Sequence, residues 1–352
     1  MLRYLIPVIA SLLAAASLVT LAIADDDRDD GGSGSGHSYA LGFWGDVPYS
    51  EEQRTSGVPN LIADMNRQRL AFSVHDGDIK SGSSRCDNEV YAQAERYFES
   101  LEGPAIYTPG DNEWTDCDRP SAGAYSSSER LDHIRANLFD RRNSFGRREI
   151  RLDHQGAPYV ENTRWRRRGV VYATLHVVGS NNNLGDVAPD PAEWAARDRA
   201  TNEWMRQTFA EAWRSRASAV LLVAQANPGF DQSDPTRAPT RDPRTLGPDD
   251  GFSNFLRALR EETIAFRKPV VLVHGDSHYE RVDKPLLDSQ GRRVENFTRA
   301  ETPGDNPQNG NNDVGWLKVL VEPRSREVFS FQPQVVPANR VAVPAPRSTG
   351  RR

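Results

Sequence analysis

Only two of the 352 residues are cysteines, Cys86 and Cys117, so a cysteine-rich metal site is excluded by number alone. Lysine is scarce too: Lys80, Lys268, Lys284 and Lys318 are the full set, and arginine carries nearly all the positive charge. That charge is not in excess. The formal net charge is -5, or -6 without Arg3, which leaves no basic field for nucleic acid or anionic lipid. The densest basic run, Arg164-Trp165-Arg166-Arg167-Arg168, reads as a solvated face in preference to a phosphate site. No internal repeat is present.

What is there begins with a targeting pattern. Arg3 precedes an apolar stretch from Tyr4 to Ala24 that ends in Ala22-Ile23-Ala24, a small-x-small cleavage signal. Residues 1–24 are therefore expected to be a signal peptide; the alternative is an uncleaved membrane anchor, the one case in which a membrane is a partner. Either way the globular part is expected to be exported, secreted or periplasmic. Residues 25–38 (DDDRDDGGSGSGHS) contain no apolar side chain and read as a flexible acidic, Gly/Ser linker. The stretch 337–352 mixes Pro with Arg without a period and reads as a disordered tail. One domain, 39–336, is expected between them. In an oxidising compartment Cys86 and Cys117 are expected to be bridged, bracing two loops; the alternative is two buried thiols.

Within that domain, apolar β-branched runs at 39–44, 70–75, 105–108, 170–178, 219–224 and 270–274 alternate with helical spacing at 60–69, 89–101, 128–138, 191–213 and 254–266. This is an α/β order. Segments 316–321 and 327–332 alternate instead, around Pro323-Arg324-Ser325, and predict a C-terminal β-hairpin. In such folds ligands sit at the carboxyl ends of the strands.

Four acidic segments fall at those ends: Gly45-Asp46, Gly77-Asp78, Gly110-Asp111-Asn112-Glu113 and His274-Gly275-Asp276-Ser277-His278. A glycine permits a sharp turn and aims the next carboxylate out of the strand end, and carboxylates with an imidazole make a divalent-metal pocket. Their order and spacing resemble the calcineurin-like metallophosphoesterase family, whose pattern is D-x-H, G-D, G-N-H-[DE], a His after a strand, and G-H-x-H. The resemblance spans about residues 39–334 and implies a four-layer α/β/β/α sandwich. It also implies two divalent ions, of Mn, Fe, Mg, Ca or Zn. Asp46 and His278 would be ligands of the first ion, Asp78 the carboxylate bridging both, and Asp111 a ligand of the second. Asp276 falls where the family has the first His of G-H-x-H.

The chain also departs from that pattern. Pro48 replaces the His of D-x-H, Asn112 replaces the catalytic His, and Gln225 or Asn227 stands where a His follows the strand. Carboxylates at Asp111 and Asp276 make the site harder and more negative. Asn112 is the candidate donor to the phosphoryl group, and Lys80 either offsets carboxylate charge or contacts phosphate. Tyr49 and Arg119 are further candidates near the pocket. His176 reads as a core histidine, His75 as a partner orienting a carboxylate, and Asn181 and Asn182 as residues at the mouth. His274 would be a ligand only in a register two residues from the family's. The function implied is an exported, metal-dependent phosphoesterase. It would cleave a small-molecule phosphomonoester or phosphodiester with a metal-activated water. The alternative is a degenerate binding protein that keeps the fold without turnover. A serine-esterase reading of Gly275-Asp276-Ser277 fails because that serine comes late and no D-x-x-H follows.

Overall fold

The structure, a computed structural model, describes residues 38–185, 187–230, 247, 249–305 and 313–341. The expected signal peptide, nearly all of the linker, residues 231–246 of one loop and the tail from 342 lie outside the described residues. No helix among the described residues is long and apolar enough to cross a membrane.

Two sheets face each other. The first has the order β12 (Phe329–Gln334), β11 (Trp316–Val321), β1 (Tyr39–Trp44), β2 (Leu70–His75) and β3 (Ala105–Tyr107). The second runs β4 (Asp153–His154), β5 (Thr163–Arg167), β6 (Val170–Thr174), β7 (Ala219–Val223), β8 (Val270–His274), β10 (Phe297–Glu301) and β9 (Arg281–Asp283). β1, β2 and β3 are parallel, as are β6, β7, β8 and β10, so seven carboxyl ends point to one edge of the sandwich.

The period of two decides which side chain goes where. Leu41 and Phe43 of β1 point inward with Phe72, Val74, Tyr172, Leu221 and Val273 to form the core between the sheets. Trp44 points outward and joins a second core under α1 (Val58–Asn66), α2 (Asn88–Glu99) and α3 (Ser127–Leu138). On the far side Ala173, Val220, Leu222 and Leu272 pack beneath α5 (Pro191–Arg214) and α6 (Ser253–Phe266). Each fully buried Leu, Val or Phe contributes about 1.5–3 kcal/mol. The result is the expected α/β/β/α stack. Helix starts follow local chemistry: Asp190 caps α5 by accepting from Ala192 N and Glu193 N at 3.0 Å, with Pro191 at the first helical position.

The C-terminal hairpin is present as β11 and β12, with β11 antiparallel to β1. The body runs slightly past the boundary expected at 336. Pro337–Asn339 forms a 3₁₀ turn, and Asn339 Nδ2 donates to Gly57 O (2.8 Å) and Val314 O (3.0 Å). Cys86 and Cys117 are joined in a disulfide, which ties the loop after β2 to the loop after β3.

That bridge spans 31 residues, which in the chain-entropy model stabilises the fold by about 3–4 kcal/mol. The Cys86→Ser/Cys117→Ser double variant should lose about that much in a urea melt. An unchanged midpoint would show that the loops are held without it.

Candidate functional site

Asp46, Asp78, Asp111, Asp276 and His278 all leave carboxyl ends of parallel strands: β1, β2, β3 and, for the last two, β8. Four of them hold left-handed backbone, Asp46 at φ 53°, Asp78 at 61°, Asp276 at 74° and His278 at 58°. A non-glycine residue there costs on the order of 1–3 kcal/mol and persists only where its surroundings enforce it. The preceding glycines let the loops close up. A Cβ on Gly275 would sit 2.1 Å from Asp46 Oδ2, and Gly77 itself has φ 109°.

Asp78 is heavily bonded. Its Oδ1 accepts from Asn112 N (3.1 Å), and its Oδ2 from Asn112 Nδ2 (2.9 Å), Tyr49 Oη (3.1 Å) and Gln225 Nε2 (3.2 Å). Its own N–H donates to both oxygens of Glu113, which also accept from Gly110 N (2.7 Å) and Tyr107 Oη (2.7 Å). Glu113 thus locks the β2 and β3 loops together. The Gly-Asp-Asn-Glu segment was its only signal in the sequence.

Asp46 faces the β8 loop. Both its oxygens accept from Asp276 N (3.2 and 3.0 Å), and its Oδ1 lies 3.3 Å from His278 Nε2. The other ring nitrogen of His278 meets Asp305 O, and Asp276 Oδ2 accepts from Asn227 N (2.9 Å) after β7. Tyr49, aimed back by the loop after β1, puts its hydroxyl 3.4 Å from Asp46 Oδ1 and accepts from Asn112 Nδ2 at 2.8 Å.

Asp111 is held by Ser180, whose Oγ lies 2.9 Å from Asp111 Oδ2 and 3.0 Å from Asp116 Oδ1. Arg119, one-third exposed, pairs with Asp116 (2.5 Å) and donates to Ser180 Oγ (3.3 Å). Ser180 belongs to α4 (Gly179–Asn183), a single turn whose Ser180, Asn181 and Asn182 all have left-handed backbone. Asparagine tolerates that region best among side-chain-bearing residues. Its side chains anchor the turn: Asn182 Oδ1 accepts from Arg197 (2.6 Å), and Asn181 Oδ1 from Gly251 N (2.9 Å). Nothing in the sequence reading pointed to Ser180.

Crowded negative charge governs the electrostatics. Burial, and then Asp111, Glu113, Asp46 and Asp276, push Asp78 well above the usual carboxylate range. Burial and Asp276 lift Asp111 to about 7. For His278 burial works against the charged ring, yet the Asp46 carboxylate prevails and raises it to about 9. Burial lowers Lys80, against the pull of Glu113, Asp78, Asp116 and Asp111. Its ammonium is enclosed and donates to Ser81 O (3.0 Å).

Among the described residues, no group of three or more His, Cys, Asp and Glu side chains is arranged as a metal cage. Protein N–H and O–H groups hold the carboxylates in its place. Four carboxylates and one imidazole are donors of the kind a hard divalent cation takes, and burial, followed by mutual repulsion, lifts Asp78 and Asp111.

The other candidates fall outside the pocket. His176 is a core residue, its Nδ1 2.7 Å from Glu161 Oε1, as expected. His75 orients no carboxylate. Its Nδ1 accepts from Gly77 N (3.2 Å) while its ring packs on Trp44, a correction that follows from its pointing into the helical layer. His274 Nδ1 meets Gly275 O (2.9 Å) within the β8 end. The basic run is β5, whose Arg166 pairs with Glu211 (3.1 Å) and Arg164 stacks on Trp204 of α5.

No protein-family model matches the sequence, and no curated protein matches it. Solved structures do. The purple acid phosphatase PPD1 from yellow lupin (Lupinus luteus) seeds aligns over 88% of this chain and 53% of its own, at 11% identity and a TM-score of 0.53. The present chain therefore spans about half the length of that protein. A dimetal phosphatase from Danio rerio aligns over 85% of this chain and 96% of its own, with 12% identity and a TM-score of 0.48. GAP50, the anchor in the inner membrane complex of Plasmodium, aligns over 85% and 89%, with 9% identity and a TM-score of 0.47. At such identities the likeness is one of fold: the chain has the two-sheet α/β fold of the metallophosphoesterases.

Proposed function

We propose that the protein is an exported, metal-dependent phosphoesterase acting on a small-molecule phosphomonoester or phosphodiester. One observation carries this reading. Four carboxylates and an imidazole, four of the five on left-handed backbone, meet at the carboxyl edge of a metallophosphoesterase fold. Asp46, Asp78, Asp111, Asp276 and His278 are the residues that would hold a divalent cation. Such an ion lowers the pKa of a coordinated water and neutralises phosphoryl oxygens.

The remaining work falls to side chains around the pocket. Asn112 Nδ2 and Tyr49 Oη, 2.8 Å apart, are donors for a phosphoryl oxygen. Asn112 cannot deliver a proton, so the leaving group departs unaided or takes its proton from water. Arg119 at the mouth adds a guanidinium suited to phosphate. A second reading, a binding protein without turnover, is favoured by two features: donors already surround Asp78, and no imidazole stands at 48 or 112.

The two readings separate on aryl phosphates. With Mn²⁺ or Mg²⁺, hydrolysis should rise steeply as the leaving-group pKa falls, and Asp78→Asn should drop to the uncatalysed background. Absence of hydrolysis with every divalent ion tested would favour the binding protein.

Stability should follow the charge cluster. In chelated protein Asp111 titrates near 7 in place of 3.8, so its contribution is full below about pH 4 and lost as pH rises through 7. His278, at about 9 in place of 6.5, acts in the same direction at higher pH. Thermal melts in chelator should therefore fall between pH 5 and 9. A divalent cation at a hundredfold excess over its Kd should restore about 5 °C or more at pH 8. Identical melts with and without the ion would argue against the cation site.

A further inference from the structure

Three arginines beside one cavity lack the carboxylate partner that their sequence neighbours have. Arg67 pairs with Asp64 (2.6 Å), Arg147 with Glu102 (2.5 Å) and Arg166 with Glu211 (3.1 Å). Arg69, Arg148 and Arg167 instead line a cavity of about 530 Å³, and among the described residues no carboxylate pairs with any of them. The two acidic side chains on the same lining have other partners: Glu102 has Arg147, and Glu149 accepts from Asn143 Nδ2 (2.8 Å). The cavity opens where β1, β2 and β3 begin, at the opposite ends of these strands from the carboxylate pocket. Tyr39 lines it at the start of β1 and Asp46 follows the far end, so the two places lie about 20 Å apart at the rise of a strand.

The walls are built of fixed groups. Tyr39 Oη donates to Arg167 O (3.1 Å) and lies 2.7 Å from Tyr172 Oη, and the Arg167 guanidinium sits over the Tyr39 ring, 5.5 Å from its centre. Arg167 Nε has no hydrogen-bond partner, so the aromatic ring is what holds the fork. Arg148 is anchored through Nε, which donates to Glu102 O (3.0 Å). Leu70, Phe72 and Leu101 form an apolar base, with Phe72 packed edge-on against Trp165 and Tyr172 at 5.2 and 5.0 Å.

A guanidinium is a planar fork of donors that matches the two oxygens of a carboxylate or phosphate. Small-molecule sites have volumes of about 300–1,000 Å³, and this cavity falls within that range. Three unpaired forks around one space call for more than one negative charge. We propose that the cavity is a second binding site, for a small anion bearing two or more carboxylate or phosphate groups, held by Arg69, Arg148 and Arg167. It stands independently of the carboxylate pocket and of the reaction assigned there.

Chelated full-length protein is titrated calorimetrically with citrate and, separately, with pyrophosphate. One saturable site per chain is expected with at least one of them, citrate alone marking a carboxylate ligand and pyrophosphate alone a phosphate ligand. The Arg69→Gln/Arg148→Gln double variant should weaken that binding about tenfold or more, since charged hydrogen bonds are lost. Arg119→Gln, at the mouth of the carboxylate pocket, should leave it within about twofold. No saturation by either anion below about 1 mM would overturn the site. So would binding that survives the double variant, or binding that Arg119→Gln abolishes. If the double variant fails to fold, phenylglyoxal labelling of the unaltered protein, read by peptide mass, decides the matter: the anion should protect Arg69, Arg148 and Arg167, and unchanged labelling of all three would overturn the proposal.

Discussion

Like charge gathered out of water is the constraint on which the rest of this structure depends. Asp46, Asp78, Asp111 and Asp276 approach one another at the edge of the sandwich, with Asp76 and Glu113 buried beside them. At the effective dielectric of a protein, two unit charges 4 Å apart repel by about 4 kcal/mol. A few such pairs rival the whole stability of a domain. Three features accommodate the cluster: carboxylates pushed above their usual range, hydrogen bonds from many donors, and the basic side chains of His278 and Lys80 beside it. A divalent ion would be a fourth.

The surrounding architecture can be understood as support for that concentration of charge. Parallel strands deliver every one of these residues to the same edge, and the core between the sheets keeps the strand ends from drifting. Glu113 fastens two loops by accepting from Asp78 N and Gly110 N, and the disulfide clamps the same two loops from outside. Left-handed backbone at Asp46, Asp78, Asp276 and His278 turns side chains inward that relaxed loops would direct to solvent. The left-handed turn of α4 brings Ser180 onto Asp111 and is itself tied to α5 through Arg197.

Amides and carboxylates stand here where the pattern it resembles has imidazoles, and the chemistry differs in one direction. A histidine offers a nitrogen lone pair and a proton near neutrality; an amide offers neither. Gln225 and Asn112 accordingly donate N–H groups to Asp78 Oδ2 and carry no proton to give up near neutrality. Carboxylate oxygens are the donors that Mg²⁺, Mn²⁺ and Ca²⁺ prefer, where a zinc centre prefers nitrogen and sulfur.

Strand-end carboxylates, the α/β order and the hairpin were legible from the residues, because apolar runs of period two and the glycines beside the aspartates are local signals. The cysteine pair was legible by number. Strands β5 and β10 were not, since Thr163–Arg167 and Phe297–Glu301 carry charged residues that only long-range pairing buries: Arg299 with Asp283, and Glu301 with Arg281. His75 was misjudged because alternation alone does not say which sheet face meets helices. The roles of Ser180 and Tyr49, and the bond of the Gln225 amide to Asp78, depend on partners from about thirty to about 150 residues away. Sequence by itself determined which residue types reach the strand ends. The tertiary structure alone decided which N–H and O–H groups hold those carboxylates, because that choice is set by contacts between loops of different strands.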